Sequence, residues 1–277
     1  MPGWSSSLSR VMPARLRRRL RPHLLPLLRP RRIHAYCVGT PKSGTTTIGA
    51  MFEEHYYAEH EPALEEALEK IFAQAEGRLS SQQMSAYVSE RDRRLWLEMD
   101  ASNLNYYFID DLVKFADARF ILTIRDCYTW AESQFNQILN RHNPDNALLL
   151  RFDRLRFGTP EPVHAPEEMV LKEYGLYRLV GYLSYWARHN RKILDTVPKE
   201  RLLVVRTHEL SQSIERIAAF LGIAPETIAT SQHANKVKHG HGLLHQIDRN
   251  FLEALVEKHC GRLMDEFFPG FQVPPRS

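Results

Sequence analysis

Ile33-His34-Ala35-Tyr36-Cys37-Val38-Gly39-Thr40-Pro41-Lys42-Ser43-Gly44-Thr45-Thr46-Thr47-Ile48-Gly49-Ala50-Met51-Phe52 is the stretch on which the fold of this 277-residue chain turns. Ile33 to Val38 is short, rich in branched and aromatic residues and ended by Gly39, which predicts a buried strand. Thr40 to Thr45 is turn chemistry, with Pro41 fixing one φ angle and Gly44 permitting a positive one. From Thr45 the apolar residues Ile48, Met51 and Phe52 fall at helical spacing. Strand, glycine-flanked loop and helix start together make a nest of backbone N–H groups at the positive end of a helix dipole, which is a cradle for phosphate or sulfate.

The pattern outward from this stretch is strand alternating with helix. Helical spacing is expected over Pro62 to Phe72 and Ser80 to Trp96, and a short strand over Leu95 to Met99. A helix follows at Phe108 to Phe115, and Phe120 to Ile124 is the clearest strand. Tyr128 to Arg141 and Glu168 to Leu194 read as helices, Leu202 to Val205 as a strand, and Ile214 to Leu221 as a helix stopped by Gly222. Asn143 to Pro166, with four prolines, reads as a loop near an acceptor. Such alternation implies an α/β fold, a three-layer sandwich with a central parallel sheet flanked by helices. Ligands then gather beyond the carboxyl ends of the strands, where Lys42, Asp100 and Arg125 are all expected.

Composition sets bounds. At 43% hydrophobic and 25% charged, the chain is an ordinary globular one, with no run near the ~20 apolar residues of a membrane helix. Cys37, Cys127 and Cys260 are scattered, and reduced thiols in a cytoplasmic protein are the simplest expectation. The net charge of +4 hides a division. Nine arginines stand before Ile33 and no acid before Glu53, so without them the body carries −5. Residues 1–32 read as a basic arm, and 33–277 as one domain with a helical insertion at about 60–95. The leucines among those arginines suit a disordered tail or contact with a membrane surface, and Pro22 and Pro26 argue against a signal peptide. Nothing points to nucleic acid.

The loop differs from a nucleotide-binding P-loop where it matters. Gly39 and Gly44 have the G-x-x-x-x-G spacing, but Thr45 stands where the lysine should be, and the one lysine, Lys42, lies inside the loop. Pro41-Lys42-Ser43-Gly44-Thr45-Thr46 resembles the 5′-phosphosulfate loop of the PAPS-dependent sulfotransferases, PAPS being 3′-phosphoadenylyl sulfate. Arg125 at a strand end and Ser133 eight residues on resemble that family's 3′-phosphate site, and a guanidinium suits phosphate because it donates two bonds at once. The alternative at this point is an Arg125–Asp126 ion pair.

The resemblance, which runs from about Ile33 to Gly270, implies sulfuryl transfer from PAPS to an acceptor hydroxyl, leaving PAP, without a metal. It implies that Lys42 neutralises the leaving oxygen and that backbone N–H groups of Ser43, Gly44, Thr45 and Thr46 hold the 5′-phosphate. Asn235 and Lys236 are expected to reach the 3′-phosphate. Asp100-Ala101-Ser102-Asn103 resembles the acidic stretch that supplies the general base in carbohydrate-type members, with Asp100 or Glu98 as that base. That variant leans the acceptor toward a carbohydrate or glycolipid. Thr47 replaces the tryptophan that many members stack on adenine. His239, His241 and His245 have a spacing a metal could use, though Gly240 and Gly242 favour a flexible loop. The rival readings are a small-molecule kinase using ATP and Mg²⁺, and a non-catalytic nucleotide-binding module.

Overall fold

The computed structural model describes residues 30–159, 163–230 and 240–271. Its elements in chain order are β1 (Ala35–Cys37), α1 (Thr45–Phe52), β2 (Ala58–His60), α2 (Leu64–Ala75), α3 (Ser81–Leu95), β3 (Met99–Ala101), α4 (Asn105–Leu112) and β4 (Arg119–Ile124). There follow α5 (Cys127–Leu139), α6 (Ala147–Phe157), α7 (Met169–Glu173), α8 (Leu179–Thr196), β5 (Leu202–Arg206), α9 (Ile214–Leu221) and α10 (Arg249–Phe267). The five strands form one sheet in the order β2-β3-β1-β4-β5, and every pairing is parallel. Parallel neighbours need crossovers, and the helices that make them cover both faces.

Alternation along β1 divides the core. Tyr36 and Val38 join Phe120 and Leu122 beneath α2, α3 and α4. Ala35 and Cys37 face the other way with Ile121 and Val205, packing on Ile48, Met51 and Phe52 of α1 and Ile217 and Leu221 of α9. A third cluster joins Trp130 and Phe135 of α5, Tyr182 and Trp186 of α8, and Cys260 and Leu263 of α10. The helices at 60–95 are therefore part of a core layer: Leu68, Ile71, Phe72, Met84 and Val88 are all buried against the sheet.

Several boundaries differ from the sequence expectation, each for a local reason. Helix α3 runs to Leu95 and ends on Trp96 in the left-handed conformation (φ 49°), so β3 starts only at Met99 and Asp100 lies inside the strand. The expected loop after Asn143 contains α6, whose start is capped by the Asn146 side chain accepting from the Leu149 N–H. The expected long helix from Glu168 is broken at Gly175 (φ 66°) into α7 and α8. Arg31 pairs with Asp92 at 2.9 Å and Arg32 with Glu98 at 3.0 Å, so both belong to the fold.

The loop between β1 and α1 passes directly over β4. A Cβ built on Gly39 would lie 2.0 Å from Thr123 Oγ1 and 2.6 Å from the Thr123 carbonyl oxygen. We expect Gly39→Ala to destabilise the protein by at least about 1–3 kcal/mol through overpacking. Urea unfolding of the variant beside the wild type measures this.

Candidate active site

The loop Thr40–Gly44 is held from below by side chains of four elements. Trp130 Nε1 and Gln134 Nε2 of α5 both donate to the Pro41 carbonyl, at 2.8 and 3.1 Å. Thr207, just past β5, donates its hydroxyl to the Ser43 carbonyl at 2.6 Å. Thr123 of β4 meets the Ser43 hydroxyl at 3.0 Å. His189 of α8 donates from Nε2 to the Val38 carbonyl at 2.8 Å, which fixes that tautomer because a carbonyl only accepts. Burial lowers the His189 pKa to about 3, so the ring is a neutral support.

These bonds consume the loop's carbonyls and leave N–H groups. Gly44 (φ 106°) is the N-cap of α1 and no side chain caps that end, so the first-turn N–H groups at Thr45 and Thr46 have no intrahelical partner. Of the residues predicted to form the cradle, Ser43 contributes least. Its hydroxyl donates to the Thr40 carbonyl at 2.7 Å, and its N–H turns to the same oxygen at 3.2 Å. Lys42 adopts φ 65°, an uncommon conformation for a residue with a side chain. Such strain persists where the surroundings enforce it, and it clusters at working sites.

Lys42 and Arg125 come together here. Burial, and then the charge of Arg125, lower the Lys42 pKa below its ordinary 10.5. Burial likewise lowers Arg125, with Asp126 opposing. Among the described residues neither cation forms an ion pair. Asp126 caps α5 instead, accepting from the Thr129 N–H at 2.8 Å, and Arg125 spends only Nε, on the Thr129 hydroxyl at 2.9 Å. The ion-pair alternative for Arg125 is thereby set aside. Ser133 lies two turns along α5 and is buried. Two half-buried cations without ion pairs among the described residues, beside orphan N–H groups, attract an anion carrying more than one charge.

Asn235 and Lys236 lie outside the described residues, as does His239. The chain returns beside α5: the His241 N–H donates to Asn136 Oδ1 at 2.9 Å, and the Gly242 and Leu244 N–H groups donate to Glu132 at 2.9 and 2.8 Å. Among the described residues no cluster of metal-binding side chains occurs.

The two carboxylates expected to act as base are both committed elsewhere. Glu98 stands at the amino edge of the sheet, 1% exposed, and accepts from Arg32 and from the Tyr57 N–H. Burial pushes its pKa up, but those donors outweigh it and the net shift is down. Asp100 is 3% exposed in mid-strand, taking Arg91 Nη1 at 2.7 Å on one oxygen and Asn105 Nδ2 at 3.1 Å on the other. His60 instead reaches the first turn of α1, and it and Glu61 after it escaped sequence reasoning because β2 is only three residues long and was not expected. In register β2 lies beside β3, His60 opposite Ala101. His60 Nε2 is 3.0 Å from the Thr46 hydroxyl, so Glu61 follows at the carboxyl edge, its carboxylate accepting from Asn103 Nδ2. The signal available was an acidic, proline-ended segment, Glu59-His60-Glu61-Pro62, soon after the first helix.

A family model described as a sulfotransferase domain matches residues 36–236. The chain belongs to the sulfotransferase family. It is thus a transferase whose sulfuryl donor is PAPS. A crystal structure of a sulfotransferase from Alicyclobacillus acidocaldarius is similar in fold, with TM-score 0.50 and 17% identity over 86% of this chain and 97% of that one. The sulfotransferase domain of the curacin biosynthetic pathway scores 0.41 at 17% identity, covering 88% and 93% of the two chains. A mouse sulfotransferase complexed with PAP scores 0.37 at 16% identity, covering 86% and 90%. A search of curated protein sequences gave no match. Among the described residues no helix is long and apolar enough to cross a membrane.

A bound anion favours the ammonium form of Lys42, whose pKa is lowered in the free protein. PAP affinity should therefore fall as pH rises through that depressed pKa, below the ordinary 10.5, with proton uptake on binding. Lys42→Arg should flatten the dependence, as calorimetry across pH and in two buffers would reveal. In thermal denaturation, PAP at about 100 times its Kd should stabilise by roughly 2.7 kcal/mol, and ATP with Mg²⁺ by much less.

Proposed function

We propose that this sulfotransferase passes the sulfuryl group of PAPS to an acceptor hydroxyl at the carboxyl edge of the sheet, with Glu61 as general base. The carrying observation is that Lys42 and Arg125 share one site with neither in an ion pair among the described residues, while Glu61 follows His60, which meets the Thr46 hydroxyl in the first turn of α1. In this reading the N–H groups of Gly44, Thr45 and Thr46 hold the 5′-phosphate, and Arg125 with Ser133 holds the 3′-phosphate. Asn235 and Lys236 belong to the same proposal as further 3′-phosphate contacts. Lys42 donates to the bridging oxygen as it leaves.

The transfer forms a bond from acceptor oxygen to sulfur and breaks the bond from sulfur to the 5′-phosphate oxygen. The acceptor's proton passes to Glu61, and PAP departs. Little covalent work falls to the protein; alignment and charge stabilisation carry the rate, as in phosphoryl transfer. Asp100 and Glu98 drop out as bases in this reading because each is buried against its own arginine. A carboxylate base keeps a carbohydrate or glycolipid hydroxyl as the first acceptor class to try. A glycolipid would also give the Arg- and Leu-rich residues 1–29 a role against an anionic membrane surface.

An acceptor screen with radiolabelled PAPS, run first on sugars and glycolipids, tests the substrate class. On the acceptor it yields, Glu61→Gln should lower kcat by about 100- to 10,000-fold, the usual worth of a general base, with PAP affinity little changed. Full activity in that variant would remove Glu61 from the mechanism.

A further inference from the structure

The turn that carries Glu61 is strained and is gripped from beneath. Glu61 has φ 51° and Ala63 φ 52°, both left-handed and neither glycine, on either side of Pro62. Each such residue costs on the order of 1–3 kcal/mol unless its surroundings enforce it. Two contacts lie within reach of this turn. The Glu61 N–H donates to the Ala101 carbonyl at 3.1 Å, which continues the β2–β3 ladder by one rung. Beyond that rung, the Pro62 carbonyl accepts from Arg91 Nη2 at 3.0 Å.

Arg91 reaches up from α3 and is 3% exposed. Its other fork nitrogen, Nη1, holds Asp100 at 2.7 Å, and its Nε has no partner. Asp100 is fixed in turn by Asn105, which also donates to the Cys37 carbonyl at the end of β1. One guanidinium thus joins the middle of β3 to the turn after β2. A buried ion pair adds little net stability over an apolar pair of the same volume, so stability alone does not account for it.

We propose that Arg91 and Asp100 are positioning residues: their ion pair, through the Pro62 carbonyl, holds the strained turn so that the Glu61 carboxylate stays against Asn103 at the carboxyl edge of the sheet. The inference rests on Glu61 being the base. The planar fork matters because it places two separate nitrogens, Nη1 and Nη2, on the Asp100 carboxylate and the Pro62 carbonyl, where an ammonium offers a single nitrogen. Asp100 then serves the reaction without touching the acceptor, by keeping the guanidinium aimed.

The test uses Arg91→Lys, which keeps a cation for Asp100 but has no second arm for Pro62. The readout is the side-chain amide resonance of Asn103 in ¹⁵N-labelled full-length protein, assigned through Asn103→Ser, with PAP affinity measured by calorimetry. The expected result is that the Asn103 amide of Arg91→Lys moves to its position in Glu61→Ala, where the acceptor is gone, while PAP affinity stays within about two-fold, as for a change that leaves the phosphate contacts in place. On the acceptor from the screen, kcat should fall with the KM for PAPS unchanged. If Arg91→Lys fails to fold, the double variant Arg91→Met with Asp100→Leu removes both charges together and should fold and show the same Asn103 shift. An unmoved Asn103 amide in a folded variant overturns the proposal, and so does a loss of PAP affinity matching the loss in rate. Failure of the base reading is separate: it would appear as an active Glu61→Gln, whatever the Asn103 amide does in Arg91→Lys.

Discussion

Every functional feature of this protein depends on how the backbone from Gly39 to Thr46 is suspended. Its carbonyls are taken up by Trp130, Gln134 and Thr207, with His189 holding the Val38 carbonyl just before it, which leaves the first N–H groups of α1 without intrahelical partners. Peptide groups have fixed polarity, and tying down one end of each aims the other. The arrangement costs a tight passage at Gly39 and a left-handed backbone at Lys42. Those costs buy a concentration of positive potential that no single side chain could supply.

The parallel sheet makes this suspension possible. Each strand delivers its carboxyl end to the same edge, and side chains of α5, α8 and the turn after β5 reach the loop from that side. Charge is sorted across the sheet as well. At the amino edge Arg31 and Arg32 meet Asp92 and Glu98, whereas at the carboxyl edge Lys42 and Arg125 have no acidic partner among the described residues. Cations at one end are neutralised and hold the fold together, and the two without ion pairs at the other are the ones proposed to meet the donor. Membership of the sulfotransferase family agrees with this division, since PAPS carries phosphate at both ends of its ribose.

The carboxylates show the same sorting. Asp100 and Glu98 are buried with arginines and act within the fold, while Glu61 sits at the edge where an acceptor hydroxyl would approach. A base must reach its proton, so exposure at the right edge matters more than place in a motif. His60, lying against Thr46, is the register mark that locates Glu61.

By itself, the sequence determined the parallel α/β class, the strand–loop–helix around Lys42 and the strand that ends at Arg125. Those follow from local signals: a branched strand, a glycine-flanked turn, and an arginine ending a strand. Even α6 was written locally, in Asn146 as cap and Gly158 as stop, and was obscured by the prolines around it. Only the tertiary structure decided which carboxylates are buried against arginines and which is not. Glu98, Asp100 and Glu61 look alike as letters. Their difference lies in β2, a three-residue strand that exists only because β3 offers its open edge, and in Arg91, whose partners are 9 and 29 residues away. Pairing across such distances is set by packing of the whole chain, which no local pattern records.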